Sequence, residues 1–264
     1  MPIIRVMTFN VRYDTSEDGA RDWHHRRADV FELMRANDPD LISVQEPDAA
    51  QWADISAQLS GYCPFGVFAD ESENLEAHGG FFRERRFEHC GEGIFWLSDT
   101  PSVPHSVTWE NDWDPRACGW IRLRDRVTAR ELVFASTHFD TNAKAWQPSA
   151  HTLRRELDMI AGTTPVIVAG DFNCPAGSEA HKYLVGEGGF RDVWCESNHA
   201  DDGVLTFHGF TGRRQLPTGE NERIDWILVR GEIRTVEAKI DYSSKSGEPA
   251  SDHYPVIADV SWSG

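Results

Sequence analysis

Residues 166–175 read VIVAGDFNCP, an apolar run that stops at a Gly, an Asp and an Asn in quick succession. Val166, Ile167, Val168 and Ala169 have the composition of a fully buried strand, and Gly170 releases the chain into a turn. The strand therefore delivers Asp171 and Asn173 to a sheet edge. Pro175 cannot donate to a ladder and pushes its predecessor toward extended backbone, so the two polar residues ride on a tight connection. That is the geometry of a site, provided other groups converge on it.

Working outward, residues 3–9, 41–45, 94–97, 117–123 and 131–139 read as strands, and apolar spacing predicts helices over 28–36, 48–59 and 148–161. The segments 224–229, 236–240 and 255–262 read as consecutive strands of a second sheet. The polar stretches 70–80, 198–203 and 212–221 are the expected loops. Mixed strands with a few flanking helices imply a layered α/β or α+β fold, with 1–264 as one domain.

Composition narrows the function. A formal charge of −17, from 43 acidic against 26 basic residues, disfavours non-specific grip on a long polyanion. No stretch approaches the ~18 apolar residues of a membrane span, and no basic-apolar-small leader opens the chain. Five scattered cysteines without C-x-x-C spacing fit free, mostly buried thiols in a cytoplasmic protein. Nothing marks a protein partner, and a monomer is the expectation. GEGGF at 186–190 lacks the preceding strand and the spacing of a dinucleotide cradle, which sets aside a nucleotide-binding oxidoreductase.

Polar residues recur at the strand ends. Asn10 follows VMTF, Glu46 follows ISVQ, His138 ends FASTH, Asp225 lies inside RIDWIL, and Ser251, Asp252 and His253 precede the last strand. Singly, each has a turn, capping or hydrogen-bonding explanation. Together they can gather at one end of a sheet. A carboxylate inside ERIDWILV needs a partner, and a histidine is the natural one. Carboxylates with an Asn amide, and no Cys or His cluster at zinc spacing, are hard oxygen ligands suited to Mg²⁺ or Mn²⁺. A phosphoester suits such a site, since a metal neutralises phosphate oxygens and two histidines supply charge and protons.

The ordered set MTFNVR, SVQEP, STHFD, VAGDFN, RIDWILV and SDHYPV resembles the endonuclease/exonuclease/phosphatase superfamily along essentially the whole chain. The bacterial branch that also carries W-x-x-R (here Trp23 to Arg26) and TFHGF (206–210) is the most similar. The resemblance implies a four-layer sandwich of two mixed sheets face to face with helices outside. It implies Glu46 as the principal metal ligand with Asn10 and Asp252 near the same ion, and Asp171 orienting or deprotonating water. Asn173 would position phosphate and water, and Asp225 would hold His253 against a phosphate oxygen. It further implies His138 on the leaving-group side, oriented by Glu76, and Arg116 on the phosphate. Arg26 and His208 enter as further substrate-binding candidates. Trp109, Trp113, Trp120, Trp146 and Phe207 are aromatics that could stack on a ring, with core packing the commoner use.

The leading expectation is thus a divalent-metal-dependent phosphodiesterase for a nucleic acid or small phosphodiester. The alternative is a phosphomonoesterase for a soluble or lipid-derived phosphate. A non-catalytic binding module on the same fold is a minor third.

Overall fold

In β1 (Ile3–Asn10) alternate side chains face opposite ways: Ile4 and Val6 join one apolar cluster, and Met7 and Phe9 join another. The same two-residue alternation governs every strand that carries the site, and it builds four layers. The computed structural model describes residues 2–68, 76–107, 109–112, 115–244 and 246–264.

The first sheet runs in the order β11-β12-β1-β2-β4-β3, with β2 (Leu41–Gln45), β3 (Tyr62–Phe68), β4 (Ala77–Arg83), β11 (Ile233–Ile240) and β12 (Val256–Trp262). The second runs β5-β6-β7-β8-β10-β9, with β5 (Phe87–Trp96), β6 (Ala117–Asp125), β7 (Glu131–His138), β8 (Val166–Asp171), β9 (Arg191–Asp192) and β10 (Asp225–Arg230). Both are mixed, since β1 pairs parallel with β2 and β7 parallel with β8 while their other neighbours are antiparallel. Ile4, Leu41, Phe65 and Phe82 meet Phe134, Ile167, Ile227 and Val229 between the sheets. Each such side chain contributes about 1.5–3 kcal/mol on leaving water.

Helices cover the outer faces. Val30, Leu33 and Met34 of α1 (Trp23–Asn37) and Trp52 and Ile55 of α2 (Ala49–Gln58) pack on Met7, Phe9, Ile42 and Val44. On the other side, Leu153 and Leu157 of α3 (Ala143–Ala161) and Leu184 of α4 (Glu179–Val185) cover Val133, Val166, Val168 and Trp226. A short α5 (Val193–Glu196) follows β9. Among the described residues no helix is long and apolar enough to cross a membrane.

Three sequence expectations change. Residues 77–83 form β4, so the expected 70–80 loop is a strand in its second part, and residues 70–75 lie outside the described ones. Residues 224–229 do not share a sheet with 236–240 and 255–262: β10 pairs with β8, Asp225 opposite Asp171, whereas β11 and β12 join the first sheet beside β1. Of the cysteines, which are all free, only Cys118 and Cys174 are buried.

Candidate functional site

Pleat and register bring the polar strand ends together. Continuing the inward set of β1 leads from Ile4 and Val6 through Thr8 to Asn10, and that of β7 from Phe134 through Ser136 to His138. In β8 it runs from Ile167 and Ala169 to Asp171, and Asp225 opens β10 opposite Asp171. His138 is the register partner of Asp171 on the other side. The interlayer turns polar before the site is reached, where Ser43 Oγ lies 2.7 Å from Ser136 Oγ and Thr8 Oγ1 donates to Gln45 Oε1 at 3.1 Å.

Asn10 stitches the two sheets. Its Nδ2 donates to Glu46 Oε1 at 2.9 Å and to Asp171 Oδ2 at 3.0 Å. Glu46 Oε2 accepts the Tyr13 amide at 3.1 Å, and the Glu46 amide donates to Glu76 Oε1 at 3.0 Å. Asp171 is buried, with Oδ2 3.5 Å from His138 Nε2 and 3.7 Å from His253 Nε2. Burial, then the charge of Asp225, pushes its carboxyl above the ordinary range against the pull of the two histidines.

Asp225, whose carboxylate needed a partner, has one: His253 Nδ1 lies 2.9 Å from Asp225 Oδ2. Burial opposes the His253 charge, but Asp225 and Asp171 outweigh it and push the imidazole up to about 10. His253 is therefore a cation at neutral pH, flanked by two carboxylates. On the opposite wall both Glu76 oxygens lie 2.9 Å from His138 Nδ1, and Arg116 Nη1 donates to Glu76 Oε2 at 2.9 Å. Burial and Arg116 work against protonation of His138, yet Glu76 and Asp171 raise it on balance. Asn173 donates its Nδ2 to Phe139 O at 2.8 Å and sits 3.0 Å from His138 Nε2.

Asp171, Asn173, His138, His253, Glu46, Glu76, Arg116 and Asp252 all line one cavity of about 610 Å³. Asn10 and Asp225 stand directly behind it through the contacts above. Arg116 lines the cavity with its Nη1 engaged with Glu76.

Two candidates lie elsewhere. Arg26 is buried, and its guanidinium donates to the carbonyls of Val11, Arg12, Arg21 and Ala250. It clamps the backbone beneath the site and does not line the cavity. His208 is also buried: its amide holds Asp252 O at 2.8 Å, its Nδ1 accepts from the Gly212 amide, and its ring packs on Tyr254 at 4.1 Å. Burial and the neighbouring His253 push its imidazole down to about 4, so it is neutral. Of the aromatics, Phe207 lines the cavity with its ring 5.0 Å from that of His253, and Trp146 packs on the α3 side. Trp113 lies outside the described residues.

Sequence reasoning missed Arg12, Asp14 and Asp48, which also line the cavity. Arg12 lies 3.9 Å from Asp252 Oδ2 and pairs with Asp18 at 3.1 Å. Asp48 caps α2 in a box with Gln51, whose Nε2 also holds Arg12 O at 2.8 Å. The D-x-x-Q spacing after SVQEP was the available signal.

Among the described residues of the site, two carboxylate groupings could attract a cation. Asp171, Asp225 and His253 offer ligand atoms within 4.8 Å of one another. That set is already paired internally, with His253 Nδ1 2.9 Å from Asp225 Oδ2. Glu46 and Asp252 form the better one: burial and then, beyond the relief from His253, the Glu46 charge push the Asp252 carboxyl up, so the two repel across the cavity floor.

The family model for the Endonuclease/Exonuclease/phosphatase family matches residues 7–253. The chain belongs to this family. A mannosyl-6-phosphatase of Bacteroides thetaiotaomicron is a similar solved member, 26% identical with a TM-score of 0.88 over 98% of this chain and all of that one. The human Nocturnin catalytic domain with bound sulfate shares the fold at 20% identity and a TM-score of 0.76, covering 99% of this chain and 95% of that one. Among curated relatives, Drosophila melanogaster Nocturnin is 22% identical over 97% of this chain, which spans 46% of that protein's length.

Proposed function

We propose that this endonuclease/exonuclease/phosphatase family member is a divalent-metal-dependent phosphoester hydrolase, acting as one domain over 1–264. The observation that supports this most is the environment of Asp171 Oδ2, where Asn10 Nδ2, His138 Nε2 and His253 Nε2 converge within 3.7 Å beside an open cavity. A carboxylate raised by burial and tied on one oxygen to its own loop is suited to orient a water and take its proton. His253, held as a cation by Asp225, would face the phosphoryl oxygens that gain charge. His138, fixed at Nδ1 by Glu76, has Nε2 turned toward Asn173 and Asp171, where it can protonate a leaving oxygen. Asn173 would steady both water and phosphate.

Glu46 and Asp252, with Asn10 beside them, would hold Mg²⁺ or Mn²⁺, which supplies Lewis-acid neutralisation of a phosphoryl oxygen. The donor set fits: hard oxygens, mutual repulsion that a dication relieves, and no thiolate.

Between the two substrate expectations, a monoester of a small hydroxyl-rich molecule is favoured. The similar mannosyl-6-phosphatase is 26% identical over 98% of this chain, whereas D. rerio TDP2 with single-strand DNA product shares only the fold, at 17% identity over 99%. The net charge of −17 also opposes a polymer of phosphates. The test is hydrolysis of p-nitrophenyl phosphate and bis(p-nitrophenyl) phosphate with Mg²⁺, Mn²⁺ or chelator. Metal-dependent turnover that favours the monoester and drops by about 10²–10⁴ in Asp171→Ala is expected. Faster diester turnover would return the assignment to a phosphodiesterase. Near-normal activity of the variant would remove Asp171 from the role of base.

A further inference from the structure

We propose that a second cavity, continuous with the first past Asp252, is the subsite for the leaving group and takes an uncharged, hydroxyl-rich ring such as a hexose. This rests on the hydrolase reading above. The second cavity measures about 590 Å³ and shares Arg12, Phe207 and Asp252 with the first, so a molecule phosphorylated at one end can occupy both. Each volume falls in the ~300–1,000 Å³ range of small-molecule pockets.

The lining has the chemistry of carbohydrate recognition. Phe207 leaves 39% of its surface exposed and is pinned from behind by a β-bridge to His253, which makes it a fixed apolar platform for the C–H face of a ring. Phe210 forms further wall, with the Arg21 guanidinium over its ring at 5.4 Å. Arg12 and Asp18 form a two-point pair, at 3.1 and 3.3 Å, that sets a guanidinium beside a carboxylate on the cavity wall. The Asp18 carboxylate retains lone pairs for a hydroxyl after that pairing.

Charge balance selects the class. The wall carries Arg12 and Arg21 against Glu17, Asp18 and Asp252. Its charges nearly balance, with one carboxylate in excess. A second phosphate or a nucleic-acid backbone would meet no cationic surplus there, and a lipid tail would have to desolvate five charged groups. A neutral polyol can satisfy them with hydroxyls. Ala20 and Gly209 keep the space open by their small size.

The experiment compares mannose 6-phosphate with acetyl phosphate, a small activated acyl phosphate that lacks a ring. Adenosine 5′-monophosphate is the third substrate, and wild type is set beside Ala20→Trp and Arg21→Ala. Ala20 is exposed on the segment 16–21, so the tryptophan fills the second cavity without entering the core. The ratio of kcat/KM for mannose 6-phosphate to that for acetyl phosphate is expected to fall at least about tenfold in both variants, mainly through KM. An unchanged ratio overturns the subsite. A wild type that prefers adenosine monophosphate, with the same sensitivity to Ala20→Trp, assigns the cavity to a base and also overturns it. Turnover of acetyl phosphate without any hexose phosphate refutes the subsite and leaves the hydrolase reading standing. Turnover of none of the three fails that reading and the subsite together.

Discussion

Arg26→Met tests whether the backbone beneath the site is held by a side chain that never enters it. The Arg26 guanidinium serves the carbonyls of Val11, Arg12, Arg21 and Ala250. Arg12 O keeps a second donor in Gln51 Nε2, and Arg21 is exposed enough for water to replace the lost bond. Val11 and Ala250 are buried, and their carbonyls are left without this donor. At about 1–3 kcal/mol for each buried acceptor left unmade, the loss is roughly 2–6 kcal/mol. Relief works the other way, since burial away from any bonded carboxylate pulls the Arg26 guanidinium down to about 10 and the methionine escapes that cost. A net destabilisation of about 2–4 kcal/mol follows, or a Tm lower by roughly 5–15 °C at 2–4 °C per kcal/mol. Arg26 also shapes the turn that presents the Tyr13 amide to Glu46 and the Ala250–Asp252 segment on the other side, so the Mn²⁺ concentration for half-maximal activity should rise as well. Urea unfolding by circular dichroism, with a metal titration of the proposed phosphoester hydrolysis, reads both. Arg26→Lys should recover little, because an ammonium cannot fork across carbonyls on two segments. A methionine variant within about 0.5 kcal/mol of wild type, with an unaltered metal titration, would refute the clamp.

Further outcomes follow from the same contacts. Glu46→Gln should raise the half-maximal Mg²⁺ or Mn²⁺ concentration by at least about tenfold while chelation silences the wild type reversibly; metal independence in either protein would count against Glu46 and Asp252 as the ion's ligands. Asp125, remote from the site, accepts from Trp262 Nε1, Thr128 Oγ1, Arg86 Nη2 and the Val127 amide. Although burial opposes its charge, these partners hold its carboxyl below the usual value, so its stabilisation is complete above the unfolded value near pH 4 and is lost as pH falls through the lower folded one. Asp125→Asn should cost about 2–4 kcal/mol near pH 7, and the gap to wild type should close below about pH 4; a gap that stays constant to about pH 3 contradicts the assignment.

The strand-end residues were legible because a polar group that terminates an apolar run leaves a signal in one dimension. Asp225 even announced its need for a partner. Orientation leaves no such signal: Trp23 to Arg26 marked a residue near the site, but not that its guanidinium turns down onto carbonyls. TFHGF likewise placed His208 beside the site without showing that its amide holds Asp252 O while the ring packs away. Strand β4 was hidden by its own packing. A Cβ on Gly79 would lie 2.0 Å from Phe65 O and one on Gly80 1.9 Å from Ile42 O, so the chain needs glycines where alternation would have revealed a strand. The sheet membership of β10 depends on pairing Asp225 with Asp171, a contact across 54 residues of sequence that periodicity cannot report.

The site side chains also hold their own backbone in place. Arg12, Glu46 and Asn173 have φ of 58°, 67° and 52°, a region that costs a residue with a Cβ roughly 1–2 kcal/mol. Each of their amides donates to a side chain of the site: Arg12 to Asn10 Oδ1 at 3.0 Å, Glu46 to Glu76 Oε1 at 3.0 Å and Asn173 to Asp171 Oδ1 at 2.8 Å. The bonds to the charged Glu76 and Asp171 contribute about 1.5–3 kcal/mol each, enough to offset that strain at Glu46 and Asn173, and the neutral Asn10 oxygen contributes about 0.5–1.5 kcal/mol at Arg12. The carboxylates thus fix the turns, and the turns aim the carboxylates. Truncating Asp171 to alanine therefore removes a base and also frees Asn173. Asp171→Asn keeps an oxygen for the Asn173 amide and removes only the negative charge, so it separates the two effects. If asparagine is as inactive as alanine, the loss is chemical. If it retains most activity, Asp171 acts chiefly by holding Asn173 in its left-handed turn.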